Sequence, residues 1–211
     1  MTGIVLAGGR GLRLGRPKAL EALGNGDSLV GRVISRLKPV CSEIIVVTRQ
    51  DQIKALTLSR IGADVISDII PDRGPLGGLY SGLQRSKTEL NIGVACDMPF
   101  LNTELLAYLV SLTPGWDIVA PCINGLTEQL HTIYSKKCTK AADQLIRLGK
   151  SRVADLFGLL KTRYVEEPEL RKHDPELMSF FNINTEPDLA RARTLIGWET
   201  LAGGKPRRTA A

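Results

Sequence analysis

Two stretches of the chain carry residue types suited to phosphate chemistry. The first follows the apolar run Ile4-Val5-Leu6 and reads Leu6-Ala7-Gly8-Gly9-Arg10-Gly11-Leu12-Arg13-Leu14-Gly15-Arg16-Pro17-Lys18. Its glycines let the backbone turn and expose N–H groups, while Arg10, Arg13, Arg16 and Lys18 place four cations within nine residues. A polyphosphate needs both features. The second is Cys96-Asp97-Met98-Pro99-Phe100, where Asp97 ends an apolar run at the position that open α/β sheets use for ligands. Asn102 can cap the helix that follows, which leaves Asp97 free to hold Mg²⁺, an ion commonly bound through only one or two protein carboxylates.

The glycine-rich turn is not a Walker A loop, because Gly15 is followed by Arg16-Pro17-Lys18-Ala19 rather than by Lys and a hydroxyl residue. The dinucleotide fingerprint is closer, since Gly9, Gly11 and Gly15 miss its spacing by one residue. Its acidic partner is absent: the second apolar run ends Val46-Val47-Thr48-Arg49, which suits at best a 2′-phosphate. NADP binding therefore stays open as the weaker alternative to a nucleoside triphosphate. A further loop, Asp68 to Gly78, runs into a helix starting at Pro75. Its small residues fit either close approach of an anion to a helix N-terminus or tight packing of that helix on the sheet.

No nucleophile with an adjacent base is visible. His131 and His173 are the only histidines, neither beside a plausible nucleophile, and His173 reads as an exposed loop residue. Cys41, Cys96, Cys122 and Cys138 lack metal-ligand spacing and read as free thiols of a reducing cytoplasm. Half of the net charge of +6 comes from Lys205, Arg207 and Arg208 in the tail, and no basic stripe is interleaved with aromatics, so a small anionic substrate is expected and not nucleic acid. No leader and no apolar run long enough to span a bilayer is present, so no membrane partner is expected.

The elements that must position these residues alternate. A helix capped by Ser28 carries Leu29, Val33, Ile34 and Leu37 at helical spacing; Ile44 to Val47 is a strand covered on both faces. A helix over 51–60, a strand at Val65-Ile66, the helix from Pro75, a strand over 90–96 and a helix over 103–112 follow. Further on, the pattern predicts strands at 117–120 and 131–134, a helix over 136–147, and a short helix over 152–160 capped by Ser151. It then predicts a strand pair near Tyr164-Val165 and Phe180 to Asn184, and a last helix opened by Thr185 and Asp188. The sum is an α/β chain with one domain over residues 1–200, a doubly wound and mostly parallel sheet, and a basic flexible tail over 201–211.

Four motifs in this order resemble the nucleotidyltransferases that guanylylate molybdenum cofactor. They are Leu6-Ala7-Gly8-Gly9 with Arg13 and Lys18; Asp68 before Gly74-Pro75-Leu76; Cys96 to Phe100; and Phe181-Asn182-Ile183-Asn184-Thr185-Glu186-Pro187-Asp188-Leu189. The resemblance spans roughly residues 3 to 195 and implies a Rossmann-like fold and a cytoplasmic enzyme using GTP and Mg²⁺. GMP would pass from GTP to the phosphate of a molybdopterin-type cofactor, releasing pyrophosphate. It implies nucleotide binding by Leu6, Ala7, Gly8, Gly9, Lys18, Asp68, Gly74, Pro75, Leu76 and Asp97, with Mg²⁺ on Asp97. Arg13, Lys18 and Asp97 would be catalytic, Asn182 and Asn184 would face the acceptor, and cofactor-delivery or acceptor proteins would be further partners. The Gly8-Gly9 pair is similar to the guanylyl branch. Departures are Leu14 for a common methionine, Arg16-Pro17-Lys18 for an Asp-Lys ending, Thr48-Arg49 where asparagine is common, and Gln129 for proline in Glu128-Gln129-Leu130-His131. CTP as donor, or another phosphorylated acceptor, remains the alternative within the class.

Overall fold

A run such as Ile44-Ile45-Val46-Val47 offers no polar face to water, so it is stable only with cover on both sides. The computed structural model, which describes residues 1–9, 17–24 and 27–201, places it in a sheet between two layers of helices. In chain order the elements are β1 (Thr2–Leu6), β2 (Ala22–Gly24), β3 (Asp27–Ser28), α1 (Leu29–Leu37), β4 (Glu43–Thr48), α2 (Ile53–Leu58), β5 (Asp64–Ser67) and α3 (Gly74–Arg85). Then come β6 (Leu90–Ala95), α4 (Thr103–Ser111), β7 (Ile118–Ile123), β8 (Leu126–Thr127), β9 (Thr132–Ser135), α5 (Cys138–Arg147), β10 (Thr162–Glu166), α6 (Glu167–Leu170) and α7 (Glu186–Leu201).

The main sheet runs β10-β7-β9-β6-β1-β4-β5, with β8 paired to β7. β1 lies parallel to both β4 and β6, Val5 standing opposite Val46 on one side and Val94 on the other. The chain winds from β1 towards β4 and β5, then returns across β1 to β6. That reversal opens a crevice at the carboxyl ends of these strands. β9 runs antiparallel to β6 and β7, while β10 is parallel to β7.

One face of the sheet is covered by α1, α2 and α4, through Val33, Ile34, Leu56, Leu105 and Leu109 against Val5, Val46, Ile92 and Val94. The other is covered by α3 and α5, through Leu79, Leu83, Ala142 and Leu145 against Ile4, Ile45 and Tyr134. α3 approaches β1 very closely: a Cβ added to Gly82 would stand 2.3 Å from Ile4 Cγ2, and one on Gly78 would stand 3.2 Å from Leu6 Cδ2. This packing sets the start of α3 at the crevice. A third apolar cluster joins Leu189, Ala192 and Ile196 of α7 to Leu23, Leu29, Phe100 and Ile183. Arg193 strengthens the attachment, donating to Ala22 O at 2.8 Å and to the buried Glu21 carboxylate at 3.2 Å.

Capping follows the sequence closely. Ser28 Oγ accepts from Gly31 N at 3.2 Å, and Asn102 Oδ1 accepts from Glu104 N and Leu105 N at 2.8 and 3.2 Å. Asp188 Oδ2 accepts from Thr185 N at 2.9 Å while Asp188 N donates to Thr185 Oγ1 at 3.3 Å. Three expectations fail. Phe180 to Asn184 is no strand: a short 3-10 turn over Met178–Phe180 leads into an irregular segment, and β10 pairs with β7 instead. Ser151 caps nothing with its side chain; its carbonyl accepts from Leu76 N, and only Val153–Leu156 is helical, as a 3-10 turn. His173 is half-buried and stacks on Tyr108 with ring centroids 4.1 Å apart. None of the described helices is long and apolar enough to cross a membrane.

Candidate active site

The crevice is a cleft of about 990 Å³ built from the segments that leave four parallel strands. Leu6 to Gly9 follow β1, Thr48 to Asp51 follow β4, Ser67 to Asp72 follow β5, and Ala95 to Asp97 follow β6; Gly74, Pro75 and Gly78 close it from α3. Of the nucleotide-binding candidates, Leu6, Ala7, Gly8, Gly9, Lys18, Asp68, Gly74, Pro75 and Asp97 all line this cleft. Leu76 does not. Its side chain is wholly buried beneath the sheet and its amide is taken by Ser151 O, so it contributes packing rather than a cleft wall. Arg13 lies outside the described residues, as do Arg10, Gly11, Leu14, Gly15 and Arg16, and the tail beyond Leu201.

Gly8 and Gly9 are exposed, and the fold itself does not require them. Among the described residues, a Cβ on Gly9 would meet nothing within 4 Å and one on Gly8 nothing nearer than Arg49 Cγ at 3.8 Å. What their missing side chains leave clear is the floor of the cleft, where a ligand can approach the backbone. Gly74 differs: its φ of +56° is the left-handed conformation that glycine accepts readily. The even choice at the α3 start thus resolves into a division of labour. Gly82 serves close packing on β1, Gly78 both packs on β1 and lines the cleft, and Gly74 and Pro75 border the cleft.

At the end of β6, Lys18 Nζ donates to Asp97 Oδ2 at 2.7 Å and to Asn184 Oδ1 at 3.3 Å. Residues 79 and 166 positions apart in sequence thereby meet at one ammonium group. Ile183 N donates to Asp97 O at 3.0 Å, tying the Asn182 to Asn184 segment to the same turn. The other carboxylate oxygen, Asp97 Oδ1, is buried without a hydrogen-bond partner among the described residues. A buried anionic oxygen left unpaired is costly, and a hard divalent cation would satisfy it. No group of three or more His, Cys, Asp and Glu side chains assembles among the described residues, so the donor set fits Mg²⁺, which keeps waters and substrate oxygens, rather than an all-protein cage.

Asp68 has a structural partner set of its own, its Oδ1 accepting from Ile70 N and Ser81 Oγ at 2.9 Å each, which holds the loop after β5 against α3. Thr48, Arg49, Gln50, Asp51 and Asp72 also line the cleft, though sequence reasoning gave them no role in nucleotide transfer. Their place immediately after β4 and β5 was the available signal. Arg49 forms a fork with Asp51, Nε to Oδ1 at 3.0 Å and Nη2 to Oδ2 at 3.2 Å, and that pairing raises its pKa further. Its charge is already engaged, which weakens the case for a 2′-phosphate reader. All four cysteines are free, and burial pushes Cys41 up to about 11 and Cys96 and Cys138 up to about 12, so these are inert thiols at neutral pH.

A crevice at a winding reversal, floored by glycine backbone and flanked by a Lys–Asp pair, defines a nucleotide-handling α/β protein. Over residues 3–165 the chain matches the MobA-like NTP transferase domain, and it belongs to that family. A probable molybdenum cofactor guanylyltransferase of Pelotomaculum thermopropionicum is 35% identical over 92% of this chain and 92% of the relative. One of the same description from Methanosarcina mazei is 34% identical, covering 88% of this chain and 87% of the relative. Among solved structures, molybdopterin-guanine dinucleotide biosynthesis protein A from Archaeoglobus fulgidus superposes with a TM-score of 0.79 at 30% identity, covering 94% of this chain and all of that one. The chain is a nucleotidyltransferase, and the oxidoreductase alternative falls.

Proposed function

We propose that this enzyme transfers GMP from GTP to the terminal phosphate of molybdenum cofactor, forming the guanine dinucleotide and pyrophosphate. The observation that carries the reading is the junction of Lys18, Asp97 and Asn184 beside the bare Gly8-Gly9 backbone. An oxygen of the acceptor phosphate attacks the α-phosphorus of GTP; the bond from that phosphorus to the β-bridging oxygen breaks, and pyrophosphate leaves with the bonding pair. The acceptor supplies its own nucleophile, in keeping with the absence of a Ser–His or Cys–His pair among the described residues.

The protein's part is positioning and charge. Backbone amides of the turn after β1 bind phosphate oxygens, and Lys18 brings its ammonium to the reacting phosphates from its seat between Asp97 and Asn184. Arg13 is assigned a similar charge by the family resemblance. Asp97 would hold Mg²⁺ through the oxygen that the protein leaves unpartnered, and the ion when bound would supply Lewis-acid charge on the phosphates. Asn184 and Asn182 face the acceptor, with cofactor-delivery or acceptor proteins as further partners and the reducing cytoplasm as the setting that suits four free thiols.

The test is pyrophosphate release with Mg²⁺ and either GTP or CTP, with and without molybdopterin. Release that requires both GTP and molybdopterin is expected. Equal release from CTP removes the base assignment, and release without molybdopterin removes the acceptor.

A further inference from the structure

Next to the nucleotide cleft lies a second recess of about 280 Å³, lined by Pro75, Ala95, Met98, Thr127, Glu128, Gln129, Leu130 and Asn182. Pro75, Ala95 and Leu130 belong to both walls, so the two spaces adjoin. The recess begins one residue beyond Asp97, at Met98, and therefore next to the place where an acceptor phosphate must lie. At about 30 Å³ per water it has room for one fused heteroaromatic ring system.

Its chemistry is uneven. Asn182 and Gln129 supply amides and Met98 supplies apolar, polarizable surface, but Glu128 supplies the sole ionisable group of the lining. Glu128 is half-buried, its pKa is raised by loss of water, and no cation among the described residues is set against it. No described side chain or amide donates to its carboxylate. Its backbone, by contrast, is firmly anchored: Glu128 N donates to Pro121 O of β7 at 2.9 Å, and Thr132 Oγ1 of β9 donates to Glu128 O. Gln129 O accepts from Tyr134 Oη of β9 at 2.6 Å. The carboxylate is thus an acceptor-only group on a rigid platform, partly stripped of water and without a donor among the described residues.

We propose that Glu128 selects the acceptor by accepting paired N–H bonds from the amidine-like edge, the 2-amino group and N3–H, of a pterin ring seated in this recess. The inference rests on the acceptor side of the function proposed above. It adds the residue that reads the ring and the edge that is read. A carboxylate opposite two parallel N–H donors gains two charge-assisted hydrogen bonds, which a 2-oxo ring of the same shape cannot supply in full.

The test pairs a protein change with a ligand change. Binding of 6-hydroxymethylpterin and of the corresponding lumazine, which carries oxygen in place of the 2-amino group, is measured by fluorescence titration on wild type and Glu128→Gln. Thermal unfolding of both proteins checks that the variant folds. Wild type should prefer the pterin by ten- to a hundredfold, and Glu128→Gln should erase that preference while leaving GTP binding unchanged. In turnover with GTP and molybdopterin, the same variant should raise the acceptor KM at least tenfold with kcat little altered. Absence of pterin binding to wild type, or an undiminished preference in the variant, overturns the inference. A Glu128-dependent preference in a protein that releases no pyrophosphate with molybdopterin supports it and overturns the proposed reaction instead.

Discussion

The cleft at the parallel strand ends and the recess beside it draw on different parts of the sheet. The cleft lies at the ends of parallel strands β1, β4, β5 and β6, with Gly8 and Gly9 leaving it open and the Lys18–Asp97 pair at its edge. The recess takes Thr127 to Leu130 from the antiparallel part, between β7 and β9, and Asn182 from the segment before α7, and it shares Pro75 and Ala95 with the cleft. Amides and charge grip the phosphates of a triphosphate, whereas side chains discriminate between rings. On the function proposed above, the difference places the reaction and the choice of acceptor in separable parts of the molecule, joined at Asp97 and Met98.

The largest effect should come from the joint itself. Asp97→Asn removes the carboxylate that anchors Lys18, and turnover should drop on the order of a thousandfold with any acceptor while the circular dichroism spectrum is retained. An active variant would separate Asp97 from the chemistry.

Next in size is an effect confined to the recess side. His131 is completely buried behind Leu130, its ring 4.6 Å from that of Phe180, and burial lowers its pKa from 6.5 to about 4. Between these values the unfolded chain takes up a proton and the folded chain does not. The stability is therefore fully present above pH 6.5 and lost as pH falls towards 4, about 3 kcal/mol in all. Urea unfolding across this range should show that slope in wild type, and His131→Leu should flatten it.

The smallest effect belongs to the cleft side and separates two kinds of glycine. Gly82→Ala drives a methyl into Ile4 and should cost about 2 kcal/mol, read as a lower unfolding midpoint. Gly9→Ala meets no described residue and should leave that midpoint unchanged. Equal destabilisation by the two would mean that the glycine turn is structural after all.

This division also governs what the sequence discloses. The cleft is legible because its parts are local: an apolar run followed by glycines and cations, another followed by Asp97, and caps such as Ser28 and Asn102 that mark where helices begin. The recess is not, because Glu128 becomes a recess wall only when β9 inserts between β6 and β7, a pairing no local pattern encodes. Phe180 to Asn184 has the aromatic and β-branched composition of a strand, yet it pairs with none of the described strands; its Ile183 amide bonds to Asp97 O instead. Likewise Leu76 sits within a ligand-like motif but on the face of α3 that packs inward. Glycines serving a ligand and glycines serving helix packing look alike until Ile4 is seen against Gly82.

Following the fate of label from GTP, with Mg²⁺ and molybdopterin, tests the central claim most directly. Label at the α-phosphorus should appear in the dinucleotide product and label at the γ-phosphorus in pyrophosphate. Label from the γ-position appearing in inorganic phosphate or on the acceptor, with GDP formed, would contradict nucleotidyl transfer.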